Sequence, residues 1–457
     1  MKNELKGLTL AWYGDDFTGA SAVMEVLSFA GLPALLFLDV PTHAQLVRYP
    51  DLKAIGVAST ARAQSPDWMN VHLAQAFKAL SDLKPEILHY KICSTLDSSP
   101  TTGSIGRAIE IASDVVDLDA VPILVAAPQM GRYQMFGHFF AAHGDDVYRL
   151  DRHPVMSRHP VTPMTESDVA RHIAAQSQRL DSYVWSAQNS TPQHTTPAPK
   201  NAARIQTFTM DCWDAASETS AGKHLWNHRA QNPFVVGSQG VEFALVRHWN
   251  DTGALPKQDP PAGVGRANGM VTVSGSVSPT TANQIAWSRE NGFETIRFDA
   301  VQACAAAPQL ETEINRVVTA SLAAIARGQD PLIFTASGPD DPAVTQFTAA
   351  ADQSDRSMAE INQRIGDALG TALLRILTKT KIRRAVISGG DTSGHATRQL
   401  GIFALSALAP TIPGASLFQA HAEGPMDGLE LALKGGQMGS PDYFGWIRDG
   451  GGLKNRP

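Results

Sequence analysis

The stretch Ile387–Gly394 reads Ile-Ser-Gly-Gly-Asp-Thr-Ser-Gly and joins the end of an apolar strand to a glycine turn, an acid and two hydroxyls. Adjacent glycines let the backbone adopt positive φ and approach a ligand closely, so that successive N–H groups form an anion-binding concavity. A helix predicted from about Gly394 through Leu400 adds the positive end of its dipole. The stretch therefore predicts a strand–turn–helix unit that binds phosphate, although Gly-Gly-Asp also occurs in ordinary turns.

A second cluster lies near the start of the chain. Leu8–Tyr13 is predicted to be a strand, Gly14–Ala20 reads Gly-Asp-Asp-Phe-Thr-Gly-Ala, and an apolar-periodic helix continues through Ala30. Asp15 and Asp16 therefore lie at the carboxyl end of a strand, where open α/β sheets bind ligands. Such carboxylates can accept substrate hydroxyl hydrogens, take a proton or hold Mg²⁺ through water. The alternative is that one of the two acids simply caps the helix.

Length and composition restrict the class of protein. The chain has 457 residues, which favours two domains of about 200 residues each. It is 43% hydrophobic and 18% charged, as expected for a globular protein. Its net charge of -6 and pI near 6.2, with no long Lys/Arg run, argue against general nucleic-acid binding. An anionic substrate therefore needs local basic residues.

Three features bear on localisation. Met1–Gly7 is polar, with no hydrophobic signal core, and the longest apolar runs, such as Leu32–Val40, are the size of strands. Cys93, Cys212 and Cys304 are too few and too scattered for a disulfide framework or a cysteine-based zinc site. We expect a soluble cytoplasmic protein with no membrane partner.

Apolar strands alternate with helix-length segments in both halves, which predicts an α/β fold with mostly parallel sheets. Further predicted strands are Leu35–Leu38, Ala54–Ala58, Ile87–Ile92, Ile123–Ala127, Met270–Ser274, Thr295–Phe298, Pro331–Thr335, Arg384–Ser388 and Leu429–Leu433. The predicted helices of the second half are Thr281–Asn291, Leu310–Arg327 and Met358–Thr378. After Gly131 a segment rich in Pro and His is predicted to be an ordered loop or flap.

Two stretches break this alternation. Thr252–Met270 is rich in Gly and Pro, and predicts a linker at residues 252–269 between domains at 1–251 and 270–457. Pro192–Arg204, which is rich in Thr, Pro, Asn and Gln, is predicted to be a surface loop within the first domain.

Three loops at predicted strand ends in the second half share Gly, Ser and Thr. Their backbone and hydroxyl groups can donate to phosphates while a lysine supplies charge, which favours a nucleotide site over three ordinary turns. No Gly-x-x-x-x-Gly-Lys-Ser/Thr run occurs, so a P-loop is excluded, and no dinucleotide fingerprint follows a strand. The candidate nucleotide-binding residues are Ser276, Ser278, Gly389, Gly390, Asp391, Thr392, Lys434 and Gly435.

The first half has polar groups suited to a small polyhydroxy acid. Lys91 and Ser94 leave a predicted strand, and Arg107, Arg132, Arg152 and Arg158 are candidate partners for a carboxylate, although any single arginine is more often a surface residue. His153 and His159 have no recognised metal-ligand spacing, so a loop contact or packing is favoured for them and any metal ligands stay unknown. Of these residues, Lys91, Ser94, Arg132 and Arg158 are taken as candidate substrate-binding residues.

Together these motifs bring a family into view. Gly14–Ala20 resembles the Asp-Asp-Leu-Thr-Gly-Ala signature of the four-carbon acid sugar kinases. Further matches occur in the family's order over nearly the full length: Lys91-x-x-Ser94-Thr95-Leu96, Gly131-Arg132, Gly275-Ser276-x-Ser278, Gly389-Gly390-Asp391-Thr392-Ser393 and Lys434-Gly435-Gly436-x-x-Gly439.

The resemblance implies an amino-terminal domain that binds an acid sugar and a carboxyl-terminal domain that binds ATP, with the active site in the cleft between them. The reaction is then Mg²⁺-assisted phosphoryl transfer to the terminal hydroxyl of a tetronate-like or 3-oxo-tetronate-like acid, in carbohydrate acid catabolism. By matching positions, Asp15, Asp16, Lys91 and Arg132 line the sugar site, and Ser276, Gly389–Thr392 and Gly435 line the nucleotide site. The acid that acts on the hydroxyl is Asp16 or its neighbour Asp15, or else Asp391.

One loop departs from the family pattern. Where the family carries Lys-Ile-Asp-Ser-Thr-Leu-Arg-Gly, this chain has Cys93 in place of the acid and Asp97 in place of the arginine. The change makes a branched 3-oxo acid, such as 3-oxo-isoapionate, a candidate substrate. The alternatives are a non-catalytic sugar-acid sensor, which needs no glycine loops, and a nicotinamide-dependent dehydrogenase, which needs the absent fingerprint. A homodimer is also expected.

Overall fold

The computed structural model describes residues 5–186 and 204–454. The chain divides into two compact units, Met1–Asp259 and Pro260–Pro457. The division falls inside the predicted linker, and the predicted surface loop Pro192–Arg204 lies outside the described residues except for Arg204. Within the described ranges, no helix combines the length and apolarity needed to cross a membrane.

The first unit alternates strands and helices. Its strands are β1 (Leu10–Gly14), β2 (Ala34–Phe37), β3 (Ala54–Ala58), β4 (Ile87–Lys91), β5 (Val121–Leu124), β6 (Arg132–Met135), β7 (His138–His143), β8 (Asp146–Arg149), β9 (Leu180–Trp185), β10 (Ile205–Met210) and β11 (Phe234–Gly237). Its helices are α1 (Phe17–Phe29), α2 (His43–Val47), α3 (Pro66–Asp82), α4 (Ile105–Val115), α5 (Val169–Ala174), α6 (Ala215–Asn227) and α7 (Gly240–Asp251).

The main sheet of this unit is parallel and has the order β2-β3-β1-β4-β11-β5-β10-β9. From β1 the chain passes through α1 to one side of the sheet, and from β4 it passes through α4 to the other. Connections that diverge in this way open a crevice at the carboxyl ends of the two strands. The fold therefore directs the loops after β1 and β4 to one ligand-binding position.

Close packing fixes the centre of this sheet. The Trp12 side chain on β1 is fully buried, and a Cβ at Gly56 on the neighbouring β3 would lie 2.0 Å from its ring. Any larger residue at position 56 would displace the indole, because well-packed interiors have no spare volume. This packing holds β1, the strand that leads into Asp15 and Asp16.

The segment after Gly131, predicted to be an ordered loop or flap, forms a small antiparallel sheet of β6, β7 and β8. The predicted strand Ile123–Ala127 is displaced at both ends, because β5 begins at Val121 and ends at Leu124. After β5 ends at Leu124, the backbone leaves the main sheet, and Ala127 instead forms a bridge with Arg132. The bridge ties the insertion to the end of β5.

The second unit is also α/β. Its strands are β12 (Val271–Ser274), β13 (Phe293–Arg297), β14 (Asp330–Phe334), β15 (Arg384–Ser388), β16 (Ile402–Ala409), β17 (Leu417–Ala422) and β18 (Glu430–Lys434). Its helices are α8 (Pro279–Glu290), α9 (Ala307–Ala326), α10 (Pro342–Asp352), α11 (Met358–Lys379), α12 (Gly390–Gln399) and α13 (Tyr443–Arg448).

The sheet of the second unit has the order β13-β14-β12-β15-β18-β17-β16. The pairings from β13 to β18 are parallel, and β17 pairs antiparallel with both β18 and β16. Helices α8 and α13 contact each other, and α11 contacts both α9 and α12. The predicted class, two α/β domains with mostly parallel sheets, is confirmed.

The predicted start of one helix is wrong. Helix α12 begins at Gly390 and not near Gly394, because Gly389, with φ of 123°, makes the turn by itself. The N–H of Ser393 already donates to the Gly389 carbonyl at 2.9 Å. Asp391 and Thr392 therefore lie in the first turn of the helix, where unpaired backbone N–H groups point toward a ligand.

Candidate active site

The acids after β1 are held by an arginine from the loop after β3. Arg62 donates from Nε and Nη2 to the two carboxylate oxygens of Asp15 at 3.2 and 2.8 Å, and from Nη2 to Oδ1 of Asp16 at 2.6 Å. Asp15 is buried, and burial raises the pKa of its carboxyl, while the Arg62 guanidinium opposes the rise. Asp15 therefore serves to hold Arg62 in place, with both of its oxygens occupied.

Asp16 differs from Asp15 in having one oxygen available. Its Oδ1 accepts the Gly19 N–H at 2.9 Å, as a cap of α1, as well as Arg62. Its Oδ2 has no hydrogen-bond partner in residues 5–186 or 204–454, and its side chain is 28% exposed. The capping alternative is thus correct for Asp16, yet the same carboxylate keeps an oxygen that can accept a substrate hydroxyl.

Lys91, the last residue of β4, brings a buried cation to the same place. Its Nζ donates to the Ile92 carbonyl at 2.7 Å, and a Cβ added at Gly19 would lie 2.7 Å from that Nζ. The backbone N–H of Asp15 donates to the Lys91 carbonyl at 2.9 Å, as the parallel register of β1 and β4 requires. The structure therefore brings Lys91, Asp16 and Arg62 together at one crevice.

The loop after β4 carries the two departures from the family pattern, and they are linked. Thr95 Oγ1 lies 3.0 Å from Cys93 Sγ and donates to Asp97 Oδ1 at 2.9 Å. Burial raises the pKa of the Cys93 thiol, so the thiol is neutral near pH 7. Arg62 and Arg132 are near enough for their charges to favour the thiolate form, but burial outweighs this effect on the thiol pKa. The thiol is therefore a neutral group in the vicinity of two cations.

Contacts with α4 and α5 hold the loop after β4 in place. Leu96 is buried with φ of 59°, a conformation that costs a branched residue free energy and persists only where its surroundings enforce it. Ser98 Oγ donates to the Leu96 carbonyl and lies 2.9 Å from both His172 Nε2 and Gln176 Nε2. Gln176 Oε1 in turn accepts the Ile105 N–H at 2.7 Å. These contacts fix the loop against α4 and α5.

The remaining candidates of the first unit lie in different settings. Arg132 donates from Nη1 to the carbonyls of Met130, Gly131 and Ala142, and its buried Nε has no partner among the described residues. Ser94 is half-buried in the loop after β4. Arg158 is exposed in a 3-10 turn, Met156–Arg158, and no contact joins it to the Asp15 cluster within the described ranges.

Three other residues singled out from sequence have local roles. Arg107 donates to Asn70 and Glu110, so it is not free for a carboxylate. His153 Nδ1 accepts the N–H groups of Val155 and Met156, and His159 accepts that of Thr162. The two histidines therefore make loop contacts, as favoured from the sequence.

In the second unit, the three glycine-containing loops leave one edge of the sheet. Ser274, Ser388 and Lys434 are level with one another at the ends of β12, β15 and β18. The Gly275 N–H donates to the Ser388 carbonyl at 3.0 Å, and the Gly389 N–H donates to the Lys434 carbonyl at 2.9 Å. From β12 and β15 the chain runs to opposite sides of the sheet, which opens a second crevice.

A hydroxyl network joins two of these loops. Ser278 caps α8 by accepting the Thr281 N–H at 3.1 Å, and its Oγ donates to the Gly436 carbonyl at 2.5 Å. Thr281 Oγ1 bonds Ser276 Oγ and the same carbonyl, each at 3.0 Å. The network fixes the loops after β12 and β18 relative to each other.

Lys434 supplies the positive charge at this edge. Its Nζ donates to the Gly435 carbonyl at 2.9 Å and lies 3.4 Å from Thr281 Oγ1. Burial lowers the pKa of Lys434 to about 8. With no carboxylate beside it among the described side chains, the ammonium is suited to receive an anionic ligand.

The glycines of these loops differ in whether protein atoms surround them. A Cβ at Gly275 would lie 2.2 Å from Thr392 Oγ1, and one at Gly436 would lie 2.4 Å from Ser276 Oγ, so these two are needed for packing of the loops. A Cβ at Gly390 would meet nothing within 4 Å. Gly390 therefore faces open space at the start of α12, where backbone N–H groups are free for a phosphate.

Two residues of these sites were missed from sequence. Arg62 lies in an undistinguished Ala-Arg-Ala turn, and the only available signal was its position just after a predicted strand. Thr281, which ends the loop that starts at Gly275, is not among the candidate nucleotide-binding residues, although its hydroxyl links Ser276, Gly436 and Lys434. Across the described residues, no group of three or more His, Cys, Asp or Glu side chains could hold a metal ion.

Comparison with known proteins finds a separate family match for each of the two units. Residues 10–245 match the family described as "Sugar-binding N-terminal domain", and residues 271–444 match "Nucleotide-binding C-terminal domain". The fold and these matches define a two-domain phosphotransferase that uses an alcohol group as acceptor. The chain belongs to the four-carbon acid sugar kinase family, and it is a sugar acid kinase.

Curated relatives align over nearly the whole chain. The chain is 41% identical to a 3-oxo-isoapionate kinase of Paraburkholderia graminis, over 97% of this chain and 95% of the relative. It is 28% identical to 3-oxo-tetronate kinases of Pseudomonas savastanoi pv. phaseolicola and Cupriavidus necator, with 95% of each chain covered. Since these relatives are kinases, the chain uses ATP.

Solved structures share the fold. A Salmonella typhimurium LT2 protein, given the provisional description of a tRNA synthase, superposes with a TM-score of 0.74 at 26% identity, covering 97% of this chain and 98% of that one. A Haemophilus influenzae protein superposes with a TM-score of 0.72 at 22% identity, covering 96% and 99%.

Proposed function

We propose that the protein phosphorylates the primary hydroxyl of a branched 3-oxo acid sugar of the 3-oxo-isoapionate type. The observation that carries the proposal is the linked set Cys93–Thr95–Asp97 in the acceptor loop. A neutral thiol at position 93 leaves Arg62 and Arg132 without an acid there, and Asp97 places a hydrogen-bond acceptor elsewhere in the loop. The higher identity to a 3-oxo-isoapionate kinase than to 3-oxo-tetronate kinases supports the same substrate class.

In this proposal the acceptor lies in the crevice between β1 and β4. Arg132, whose Nε lacks a partner in the described part of the chain, and Lys91 are the cations for the substrate carboxylate and oxo group. Ser94 and Arg158 are further candidate contacts. Asp16 Oδ2 accepts the primary hydroxyl hydrogen and orients the hydroxyl oxygen for attack.

The nucleotide lies in the crevice between β12 and β15. Backbone N–H groups at Gly389–Thr392 and Gly435, the hydroxyls of Ser276 and Ser278, and Lys434 surround the phosphates. Mg²⁺ would be bound mainly by the ATP phosphates, with at most one or two protein carboxylates, and would neutralise part of their charge.

The chemical step needs both bound substrates to meet. The hydroxyl oxygen attacks the γ-phosphorus, the bond from that phosphorus to the β–γ bridging oxygen breaks, and ADP leaves. Asp16 or Asp391 takes the hydroxyl proton. The reaction belongs to carbohydrate acid catabolism in the cytoplasm, where ATP is available. The homodimer stays a prediction.

The direct test is ADP release with Mg²⁺ and ATP over a panel of tetronates, 3-oxo-tetronates and branched 3-oxo acids. We expect the highest kcat/KM for a branched 3-oxo acid. A higher kcat/KM for a straight-chain 3-oxo-tetronate would reject the branched substrate, and nucleotide-independent binding of the acid without turnover would favour a sensor. Asp16→Asn serves as the matched variant, because it keeps the side-chain shape while removing the charge.

A further inference from the structure

The sequence Arg-His-Pro-Val occurs twice in the segment after β8, at residues 152–155 and 158–161. In both copies the histidine caps the turn that follows it. His153 Nδ1 accepts two backbone N–H groups, each at 3.2 Å, and His159 Nδ1 accepts one at 3.1 Å. The two copies therefore share a local structure, and the contacts that only one of them makes point to a further role.

His153 is joined to the small sheet of β6, β7 and β8. It is 5% exposed, and its ring packs edge-on against the rings of His143 on β7 and Tyr148 on β8, at centroid distances of 5.4 and 6.0 Å. His159 is half-buried and makes no such ring contact among residues 5–186 and 204–454. Only the first copy of the motif thus connects the loop to β7 and β8.

The same small sheet begins with Arg132, and the backbone of Ala142 on β7 links Arg132 to His153. The Ala142 carbonyl accepts from Arg132 Nη1 at 3.3 Å, and the Ala142 backbone also hydrogen-bonds the His153 ring. Because His153 Nδ1 accepts N–H groups, the ring proton of the neutral imidazole is on Nε2, and Nε2 is the donor to Ala142. The two side chains therefore share one acceptor.

Neutral groups hold the Arg132 guanidinium. Its Nη1 donates to three backbone carbonyls, and no carboxylate in the described part of the chain forms a salt bridge with it. Burial lowers the pKa of His153, and His143 and Arg132 lower it further, so the imidazole is neutral near pH 7. The positive charge of Arg132 and its unpartnered Nε are therefore left for an anionic ligand.

We infer that His153 is a positioning residue of the acceptor site, which fixes β7 against Arg132 so that the guanidinium is held in place for the carboxylate of the acid sugar. The inference rests on the proposed function, because it takes that carboxylate as the ligand of Arg132. A neutral imidazole suits this role, since an acidic side chain at position 153 would pair with Arg132 and compete with the substrate.

The test compares His153→Asn with His159→Asn in the full-length enzyme. Asparagine can cap the same turn through its side-chain oxygen, but it is too short to replace the ring contacts with β7 and β8. We expect His153→Asn to raise the KM for the acid sugar by about tenfold, because the substrate carboxylate loses a well-placed charged partner, and to leave the KM for ATP unchanged. His159→Asn, the matched control, should leave both KM values unchanged. A wild-type KM for the acid sugar in His153→Asn would overturn the inference.

A double-mutant cycle with Arg132→Gln separates positioning from general damage to the fold. If His153 acts through Arg132, then adding His153→Asn to Arg132→Gln should raise the KM for the acid sugar by less than about twofold. Independent effects would instead multiply, and a further increase of about tenfold in the double variant would reject the positioning role.

If no acid sugar is phosphorylated, the proposed function fails, and calorimetry with succinate then decides the inference separately. Succinate is a four-carbon acid without a hydroxyl, so its binding reports the carboxylate contact in the absence of turnover. Binding that weakens by about tenfold in both Arg132→Gln and His153→Asn, but not in His159→Asn, supports the positioning role. Equal binding by the wild type and His153→Asn, or no binding by the wild type, overturns it.

Discussion

Arg62 Nη2 donates to Asp16 Oδ1 at 2.6 Å, and the same guanidinium also donates to the carboxylate of buried Asp15. Replacing Arg62 by Ala leaves the Asp15 charge without its partner, which should lower the free energy of unfolding by about 1–3 kcal/mol. It should also raise the KM for the acid sugar, because Asp16 loses its orientation. Arg62→Lys should recover part of the stability, but it should not restore the simultaneous hydrogen bonds to Asp15 and Asp16.

Chemical denaturation and acceptor kinetics measure these two effects. Arg171→Ala is the control, since Arg171 is 77% exposed and lies 3.6 Å from Asp168; removing it should change stability by no more than about 0.5 kcal/mol. An Arg62→Ala protein as stable as this control would show that the Asp15 carboxyl needs no partner.

The two candidate bases can be separated by Asp16→Asn and Asp391→Asn. The variant of the residue that takes the proton should lose about 10²-fold or more in kcat. If Asp16 acts mainly as a substrate contact, its variant should instead raise the KM for the acid sugar. Near-normal turnover of Asp391→Asn would remove that residue from the proton transfer. Unfolding curves are needed for Asp16→Asn, because losing an N-cap costs about 1 kcal/mol.

Acceptor specificity should follow the Cys93–Thr95–Asp97 set. The double variant Cys93→Asp/Asp97→Arg restores the family pattern and should shift the kcat/KM ratio from branched toward straight-chain 3-oxo acids by about tenfold or more. Cys93→Ser, which stays neutral and nearly the same size, should keep the wild-type ratio. The kcat/KM of each protein is measured with both acids at the same ATP concentration. An unchanged ratio in the double variant would mean that other residues determine the specificity.

Nucleotide binding should weaken as the pH rises through about 8. The pKa of Lys434 is lowered to about 8 by burial, so Lys434 is charged below that pH and progressively neutral above it. Neutral Lys434 attracts phosphate less, and binding of ADP near pH 8–9 should therefore take up a proton. Calorimetry in buffers of different ionisation enthalpy detects the uptake, which should vanish in Lys434→Met. Equal uptake by both proteins would assign it to another group.

Gly390 should matter for the ligand and not for the fold. Its Cβ would meet no protein atom within 4 Å, as is also true of Gly394 in the same helix. Gly394→Ala should stabilise the protein by up to about 1 kcal/mol, given the helix propensities, and leave the KM for ATP unchanged. Gly390→Ala should raise that KM without loss of thermal stability. Equal KM values in the two variants would argue against phosphate contact at Gly390.

The sequence was informative wherever local pattern and topology agree. Short apolar runs next to glycine turns predicted β12, β15 and β18 within one or two residues, and parallel pairing then required their loops to meet. The resemblance to the four-carbon acid sugar kinases, and not strand pairing, predicted that Asp16 and Lys91 share one site. Helix α12 begins earlier than the sequence predicts, because a single residue with positive φ, Gly389, makes the whole turn.

Other features depend on tertiary contacts that leave no local pattern. Arg62 is distant in sequence from the acids it grips, and only the adjacency of β1 and β3 brings it to them. β16 and β17 were not predicted, and their antiparallel pairing interrupts the alternation of strands and helices on which the prediction relied.

The diverging connections at β1–β4 and at β12–β15 give each sheet a ligand crevice of its own. Under the proposed function, substitutions at positions 93 and 97 alter the acceptor crevice of the first unit and leave the nucleotide crevice of the second unit unchanged. Acceptor specificity can therefore evolve separately from nucleotide binding.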